Sequence, residues 1–247
     1  MKGEEKAPEE GTLFLVGTPI GNLEDITLRA LRVLKEVQWI AAEDTRRSRI
    51  LLDRYGIQKP LLSVHRFNEA RQIPKILDLL KSGQTIALIT DAGMPCFCDP
   101  GERVAQACRR EGIRVEGIPG PSAILQALIQ SGFPTTPFYF GGYLPRRPGA
   151  RRREWAEASA RVFTSVYFES PHRLVASLED ACKVATDLQL CIARELTKMF
   201  EELRWGQPGE LVEWYKTKGV KGEVCIVVRG RVEGKGKANA GGIGGSH

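Results

Sequence analysis

Short apolar runs alternate with stretches of helical spacing through the first half of the chain. The run TLFLV at 12–16 has the composition of a buried strand and ends at Gly17. Beyond it, apolar residues recur three positions apart, at Leu28, Leu31, Leu34 and Val37, which is a helical spacing. This change of period predicts a strand, a turn and a helix, with Asp25 or Thr27 as the helix cap.

The same order of strand and helix recurs three more times. Further strands are predicted at 38–42, 85–90 and 114–119, and helices within 42–56, 73–80, 100–112 and from Pro121 onward. Short connections between such units require crossover geometry. We therefore predict a largely parallel sheet whose ligands gather at the carboxyl ends of the strands.

The pattern is interrupted by GFPTTP at 132–137, whose prolines and glycine are typical of a linker. Strand-like and helix-like segments then resume, which predicts a second α/β domain. The last residues are rich in Gly and Lys and have no apolar period. The predicted organisation is a disordered tail at 1–10, an N-terminal α/β domain at 11–134, a C-terminal α/β domain at 135–230 and a disordered tail at 231–247.

The composition is that of a globular protein with a basic surface. Hydrophobic residues make up 42% and charged residues 27% of the 247 positions. Lys and Arg number 36 against 30 Asp and Glu. Because several arginines are clustered, this excess favours a polyanionic partner.

Membrane insertion and secretion are not expected. The N-terminus MKGEEKAPEEG lacks the apolar segment of a signal peptide, and no apolar run approaches about 20 residues. The six cysteines include no CxxC pair, and no histidine lies near Cys96 or Cys98. We expect a cytoplasmic protein with reduced thiols and no metal site.

Several glycine and proline turns follow the predicted strands. GTPIGN at 17–22 matches neither a P-loop nor GxGxxG, and alone it is typical of a tight strand-to-helix turn. Together with the turns at 91–95, 99–101 and 119–122, it would fall at one edge of the sheet. The sequence therefore predicts a pocket built largely from backbone.

A series of longer motifs resembles one known family. In chain order these are GTPIGNLEDITLRAL, AAEDTRRSRILL, TDAGMPCFCDPG, IPGPSA, YFESPHRL, ARELTK and KGE. They are similar to the ribosomal RNA small subunit methyltransferase I family, which has the tetrapyrrole methylase fold. The resemblance implies two α/β domains with the cofactor cleft between them. It also implies methyl transfer from S-adenosylmethionine to the ribose 2′-hydroxyl of a cytidine in the decoding region of bacterial 16S ribosomal RNA.

The resemblance also implies which residues contact the cofactor. Asp91, Gly93 and Met94 lie in the motif TDAGMP, and Ser122 and Ala123 lie in PGPSA. A sulfonium beside adenosine suits a partly apolar pocket with one or two carboxylates. Asp91 has an alternative role as the organiser of an Asx turn. Met94 replaces the threonine that is usual in the family, so only a backbone contact is expected there.

The implied reaction needs a group that takes up the proton of the ribose hydroxyl. The candidates are Asp44, beside Glu43 in AEDTR, Glu169 in FESPH, and Glu195 with Lys198 in RELTK. We place Asp44 and Glu169 first because both follow strands and lie near basic residues. A helix cap or a surface ion pair is the alternative for each, and His172 is expected to serve as a cap or core residue.

Arginines would bind the phosphates of the implied RNA substrate. One set is predicted to share a Pro/Gly loop and consists of Arg146, Arg147, Arg151, Arg152 and Arg153. The second set lies in and after AEDTR and consists of Arg46 and Arg47 with Arg49. A solvated loop is the alternative interpretation.

Two other functions remain open from the sequence. A tetrapyrrole C-methyltransferase has the same fold and an acidic substrate, and a non-catalytic RNA-binding factor could retain the scaffold without the cofactor. The AEDTR and ESPHR motifs with the arginine clusters favour the RNA enzyme. The expected partner is small-subunit ribosomal RNA or the 30S subunit, and the resemblance implies a homodimer.

Overall fold

The structure is a computed structural model that describes residues 11–231. The chain divides into two compact units. Within the described residues, one consists of 11–127 together with Arg194–Glu202, and the other of Leu128–Ala193 together with 203–231. The predicted tails lie outside the described residues, apart from Arg231. The domain boundary between residues 134 and 135 stays a prediction.

The first unit contains a five-stranded sheet with strand order β3-β2-β4-β1-β5. The strands are β1 Thr12–Val16, β2 Trp39–Ala42, β3 Leu61–Ser63, β4 Ile86–Ile89 and β5 Arg114–Ile118. Every recorded pairing in this sheet is parallel. The predicted parallel sheet is therefore confirmed. β3 was not predicted, because LLS is too short to give a period.

Helices connect these strands. They are α1 Leu28–Glu36, α2 Thr45–Arg54, α3 Glu69–Lys81, α4 Glu102–Arg110 and α5 Ala123–Gln130. The side chain of Thr27 accepts a hydrogen bond from the Ala30 N–H, so Thr27 caps α1. One apolar cluster joins the sheet to α1 and α2, and a second joins it to α3 and α4. Burial on both faces explains why the three central strands, β2, β4 and β1, are almost wholly apolar.

The second sheet has strand order β6-β7-β10-β8-β9. Its strands are β6 Phe138–Tyr143, β7 Thr164–Glu169, β8 Leu190–Arg194, β9 Glu202–Gly206 and β10 Val224–Val228, and its helices are α6 Pro148–Ala160, α7 Leu174–Cys182 and α8 Pro208–Lys218. Strand β6 runs parallel to β7, whereas β10 runs antiparallel to it. All three helices contribute to one apolar cluster around Trp155 and Tyr167.

Two features of this sheet region differ from expectation. Residues 148–153, predicted as part of a Pro/Gly loop at 145–153, lie in α6, with Pro148 in its first turn. Proline fixes the backbone angle that a first helical residue needs, and arginine favours helices, so this sequence starts a helix rather than a loop. Strand β9 was not predicted, since the alternation of charged and apolar residues in ELRWG is too short to give a clear period.

Candidate functional site

The turns after β1, β4 and β5 meet at the carboxyl edge of the first sheet. A Cβ added to Gly17 would lie 2.7 Å from the Gly120 Cα and 2.6 Å from the Met94 Sδ. Gly17 N–H also donates to the Ile118 carbonyl at 3.1 Å. The backbones approach so closely that only glycine fits at position 17, as the predicted backbone-lined pocket requires.

A short bridge joins the first of these turns to the loop after β4. Thr18 and Gly93 exchange backbone hydrogen bonds of 2.9 and 3.1 Å. The Thr18 hydroxyl donates to the Thr90 carbonyl at 3.0 Å. Gly93 has φ +82°, a left-handed conformation that favours glycine. The buried Thr90 hydroxyl has no hydrogen-bond partner within residues 11–231, which leaves one polar group for a ligand.

Carboxylates from two loops are adjacent at this edge. The Asp91 carboxylate accepts from the Asp44 N–H at 3.1 Å and from the Arg47 guanidinium at 3.3 Å. Burial and the nearby Asp91 charge raise the pKa of Glu43 above its usual value. The structure thus brings AEDTR and TDAGMP together.

Asp44 caps α2. Its carboxylate accepts from the Arg46 N–H at 2.9 Å and from the Arg46 side chain at 3.1 and 3.2 Å. These hydrogen bonds lower the pKa of Asp44, which makes the carboxylate a weaker base. The contacts therefore match the alternative of a helix cap more closely than a proton acceptor.

The segment that contains Glu195 and Lys198 belongs to the same unit. Lys198 Nζ lies 3.0 Å from the Glu195 carboxylate, and the Thr197 hydroxyl accepts from the Asn22 N–H at 3.1 Å. A Cβ on Gly21 would lie 2.5 Å from the Lys198 Cγ. Glu195 and Thr197 have φ values of +51° and +64°. Such strain in non-glycine residues is concentrated at functional sites.

Ser122 and Ala123 follow β5 at this same edge. Ala123 is the first residue of α5, and the Ser122 carbonyl accepts from the Gln126 N–H at 3.0 Å. A Cβ on Gly93 would lie 3.6 Å from the Pro121 carbonyl oxygen. The structure therefore places both predicted cofactor segments side by side.

The crowded loop TDAGMPCFCDPG also serves to start α4. The buried Glu69 carboxylate accepts from the N–H groups of Gly101, Arg103 and Val104 at 3.0, 3.1 and 3.3 Å. These donors have no partner within their own helix. Sequence reasoning missed Glu69, because its role depends on the contact between α3 and α4.

Glu169 is buried among hydrogen-bond donors of the second unit. Its carboxylate is 0% exposed and pairs with Arg173 at 3.2 Å. It also accepts from the Ser170 N–H at 2.8 Å and from the Ser177 hydroxyl. A substrate hydroxyl could reach this carboxylate only after these bonds broke. These contacts give Glu169 a stabilising role in the fold, and its catalytic role stays a prediction.

Arg151 is likewise buried, contrary to the prediction that five arginines share one exposed loop. Its guanidinium lies 2.6 Å from Asp180, and both side chains are under 10% exposed, at 7% and 4%. Burial alone would raise the pKa of Asp180, but hydrogen bonds from Arg151 and Arg152 outweigh it and lower the value. Both arginines lie in α6, and they reach Asp180 because α6 packs against α7.

Buried and half-buried arginines hold the segment that carries the exposed ones. Arg173 donates to the carbonyls of Leu144 and Pro145 at 2.7 and 3.1 Å. Arg151 donates to the Arg146 carbonyl at 3.2 Å. Arg146 and Arg147 themselves are exposed, as is Arg153 in α6.

A groove in the first unit gathers part of the other arginine cluster. It has a volume of about 600 Å³ and is lined by Thr45, Arg46, Arg49, Ile50, Asp53 and Leu61. Arg46 and Arg49 therefore lie on one side of α2. Arg47 lies outside this groove and pairs with Asp91.

None of the helices within residues 11–231 is both long and apolar enough to span a bilayer. In the same residues, no three His, Cys, Asp or Glu side chains form a group that could hold a metal ion.

The family model described as Tetrapyrrole (Corrin/Porphyrin) Methylases matches residues 12–211. A solved structure of uroporphyrin-III-C-methyltransferase from Thermus thermophilus superposes with a TM-score of 0.64 at 24% identity, covering 89% of this chain and 94% of that one. At this identity the likeness concerns the fold alone.

Curated relatives are more similar in sequence. A protein named ribosomal RNA small subunit methyltransferase I from Thermotoga maritima is 46% identical over 90% of this chain and 99% of its own length. A protein of the same name from Halalkalibacterium halodurans is 45% identical over 91% of this chain and 78% of its own length. The resemblance that the motifs indicated is therefore confirmed.

Proposed function

We propose a ribosomal RNA methyltransferase activity for this chain, which belongs to the ribosomal RNA small subunit methyltransferase I family of tetrapyrrole methylases. The reaction is methyl transfer from S-adenosylmethionine to the ribose 2′-hydroxyl of a cytidine in the decoding region of 16S ribosomal RNA. The observation that carries the proposal is the meeting of carboxylates and glycine turns at one sheet edge, in a chain of this family.

The residues at this edge fit S-adenosylmethionine. Asp91, Gly93, Met94, Ser122 and Ala123 are the proposed contacts. They offer a carboxylate, backbone polar groups and apolar surface, which an adenosine and a sulfonium require. When bound, S-adenosylmethionine supplies an electrophilic methyl group.

The buried hydroxyl of Thr90 and the carboxylate of Glu43 add polar groups to this edge. The Asp91 carboxylate is held by Asp44 and Arg47, so its position is fixed before a ligand binds. Such fixed groups lower the cost of orienting the reactants, which is a large part of the acceleration in a direct displacement.

The pair of Glu195 and Lys198 is the proposed proton-transfer group. Its carboxylate would accept the ribose proton, and the ammonium group 3.0 Å away would hold that carboxylate in place. Asp44 and Glu169 are less suited, because the first caps a helix and the second is buried with three donors.

Exposed arginines are the proposed phosphate contacts. Arg46 and Arg47 lie at the start of α2, and Arg146, Arg147 and Arg153 lie on the second unit. Arg152 is partly exposed at 39% but shares Asp180 with Arg151, so its contribution should be smaller. Arg151 is omitted from the set because of its burial.

The partner is proposed to be the RNA of the small subunit, free or within the 30S particle. The family resemblance supports a homodimer, and the ribosomal substrate supports a cytoplasmic location.

Tritiated methyl transfer from S-adenosylmethionine to small subunits that lack the modification tests this proposal. We expect the wild type to label the RNA. The rate of labelling should fall at least about 100-fold in Glu195→Gln, because that variant lacks the carboxylate that acts as the general base. Glu24→Gln, on an exposed turn, is the control and should match the wild type. Absence of transfer by the wild type to both subunits and naked RNA would overturn the proposal.

A further inference from the structure

The edge strand β6 contains one more residue than the segment of β7 with which it pairs. Phe140 lies opposite Val166, whereas Tyr143 lies opposite Phe168, so three steps on β6 match two on β7. Gly142, within this irregularity, has φ +66°. These are the features of a β-bulge, which re-aims the side chains that follow it.

The bulge changes the face on which Tyr143 lies. Side chains alternate along a regular strand, so if the alternation continued unbroken through residue 143, Tyr143 would share the face of Tyr139. In the structure it lies instead beside Phe168, with ring centroids 5.5 Å apart. Phe140 lies 5.1 Å from the same ring. We call Phe140, Tyr143 and Phe168 the aromatic cluster.

A glycine at position 141 is required for this arrangement. A Cβ there would overlap the ring of Tyr167 on the other face of the sheet. The backbone of β6 therefore passes directly over a buried aromatic residue at the bulge. Tyr139 lies on that other face, beside Tyr167. The Arg161 guanidinium lies over the Tyr139 ring, 4.2 Å from its centroid.

Tyr143 presents much of its ring to solvent. The residue is 58% exposed, although its ring edge contacts Phe168. The next exposed residues along the chain are Arg146 and Arg147, whose segment is held by Arg173 and Arg151. An exposed ring is thus followed, three and four residues later, by two exposed arginines in a segment whose backbone is held by hydrogen bonds.

We propose that the aromatic cluster is a stacking site for an unpaired nucleobase of the RNA substrate, with the neighbouring phosphates bound by Arg146 and Arg147. Every base has a π face, and single-stranded RNA is commonly bound by aromatic rings beside basic residues. The proposal rests on the proposed function. The two arginines favour RNA over an apolar protein surface as the occupant, because they complement phosphate.

Equilibrium binding of a fluorescent single-stranded RNA of about 12 nucleotides to the full chain tests this site. Tyr143→Ala should weaken binding about 5- to 150-fold, whereas Tyr143→Phe should stay near the wild type. Tyr143→Leu keeps apolar packing on Phe168 but removes the ring, and it should behave like the alanine variant. Trp205→Ala is the control, since Trp205 is 51% exposed on β9, the other edge strand of this sheet.

The salt dependence of binding separates stacking from charge. Tyr143→Ala should leave unchanged the slope of log K, the logarithm of the binding constant, against the logarithm of the salt concentration. Arg146→Ala should reduce the magnitude of that slope by about 0.7. Wild-type affinity in both Tyr143→Ala and Tyr143→Leu would overturn the stacking site. A change in sedimentation with unaltered RNA affinity would assign the cluster to contact between copies and would also overturn it.

Methyl transfer distinguishes failure of this site from failure of the proposed function. If the wild type methylates the subunit while the Tyr143 variants bind RNA normally, the function stands and the stacking site is wrong. If the wild type neither binds RNA nor transfers methyl groups, the proposed function itself is wrong.

Discussion

Glu43 and Asp44 are neighbours in sequence with opposite electrostatic surroundings. Burial and the Asp91 charge raise the pKa of Glu43, although Arg47 and His65 act in the other direction. Hydrogen bonds from Arg46 lower the pKa of Asp44. The motif AEDTR therefore places one carboxyl group that ionises reluctantly beside one that ionises readily.

Glu43→Gln should stabilise the unliganded protein at neutral pH. A folded-state pKa above the unfolded value means that the native state binds more protons, so stability falls as pH rises through this range. The gain from the substitution should be present at pH 7 and vanish below the ordinary value of 4.5. Melting temperatures of both proteins from about pH 4 to 8 measure it. An equal difference at all pH values would contradict the assignment.

Gly17→Ala should damage the sheet edge. The added methyl group would meet Met94 and Gly120 at 2.6 and 2.7 Å, and such overpacking costs about 1–3 kcal/mol. Because Met94 is a proposed cofactor contact, S-adenosylmethionine should also bind about tenfold more weakly or worse. Denaturant unfolding and calorimetry measure the two effects.

Gly117→Ala is the matched control for this substitution. Gly117 lies in β5, and nothing is found within 4 Å of a Cβ built there. Its stability and cofactor affinity should equal those of the wild type. Equal behaviour of the two alanine variants would show that the close approach at Gly17 is unimportant.

Helix α6 shows how one element can hold another in position for binding. Arg151 points into the second unit, pairs with Asp180 of α7, and donates to the backbone before Arg147. Its neighbours Arg152 and Arg153 are progressively more exposed. A run of arginines in the sequence thus divides into a structural residue and surface residues according to the helical period.

Asp180→Asn should destabilise the second unit by about 3–5 kcal/mol, because it leaves the buried Arg151 without a charged partner. RNA affinity should fall as well, since Arg151 helps to hold the segment of Arg146. Glu179→Gln is the control: its pair with Lys216 is exposed and is worth about 0–1 kcal/mol. Urea unfolding and RNA binding give both readouts, and equal stability of the two variants would contradict this role.

The sequence predicts much of the first unit because its strands and helices have clear periods. Strands β1, β2, β4 and β5 are recovered, whereas β3 and β9 are too short to be recognised. Proline at 148 was interpreted as a loop signal although it begins α6. Local patterns cannot distinguish these two uses of proline.

At the candidate site, the sequence indicates the segments but not the roles of individual side chains. It identifies the turns around Gly17, Gly93 and Ser122, which the parallel topology brings to one edge. It could not show that Glu169 is buried or that Glu69 caps α4. The role of Glu69 depends on a contact between α3 and α4, and the burial of Glu169 depends on how β7 packs with α7 and β10.

For the whole molecule, the central claim is methylation of a ribose hydroxyl in small-subunit RNA. The most direct measurement is mass spectrometry of nucleosides from small subunits treated with the wild type and S-adenosylmethionine. We expect 2′-O-methylcytidine from a single position in the decoding region. A methyl group on the base, or no modified nucleoside despite cofactor binding, would contradict the account.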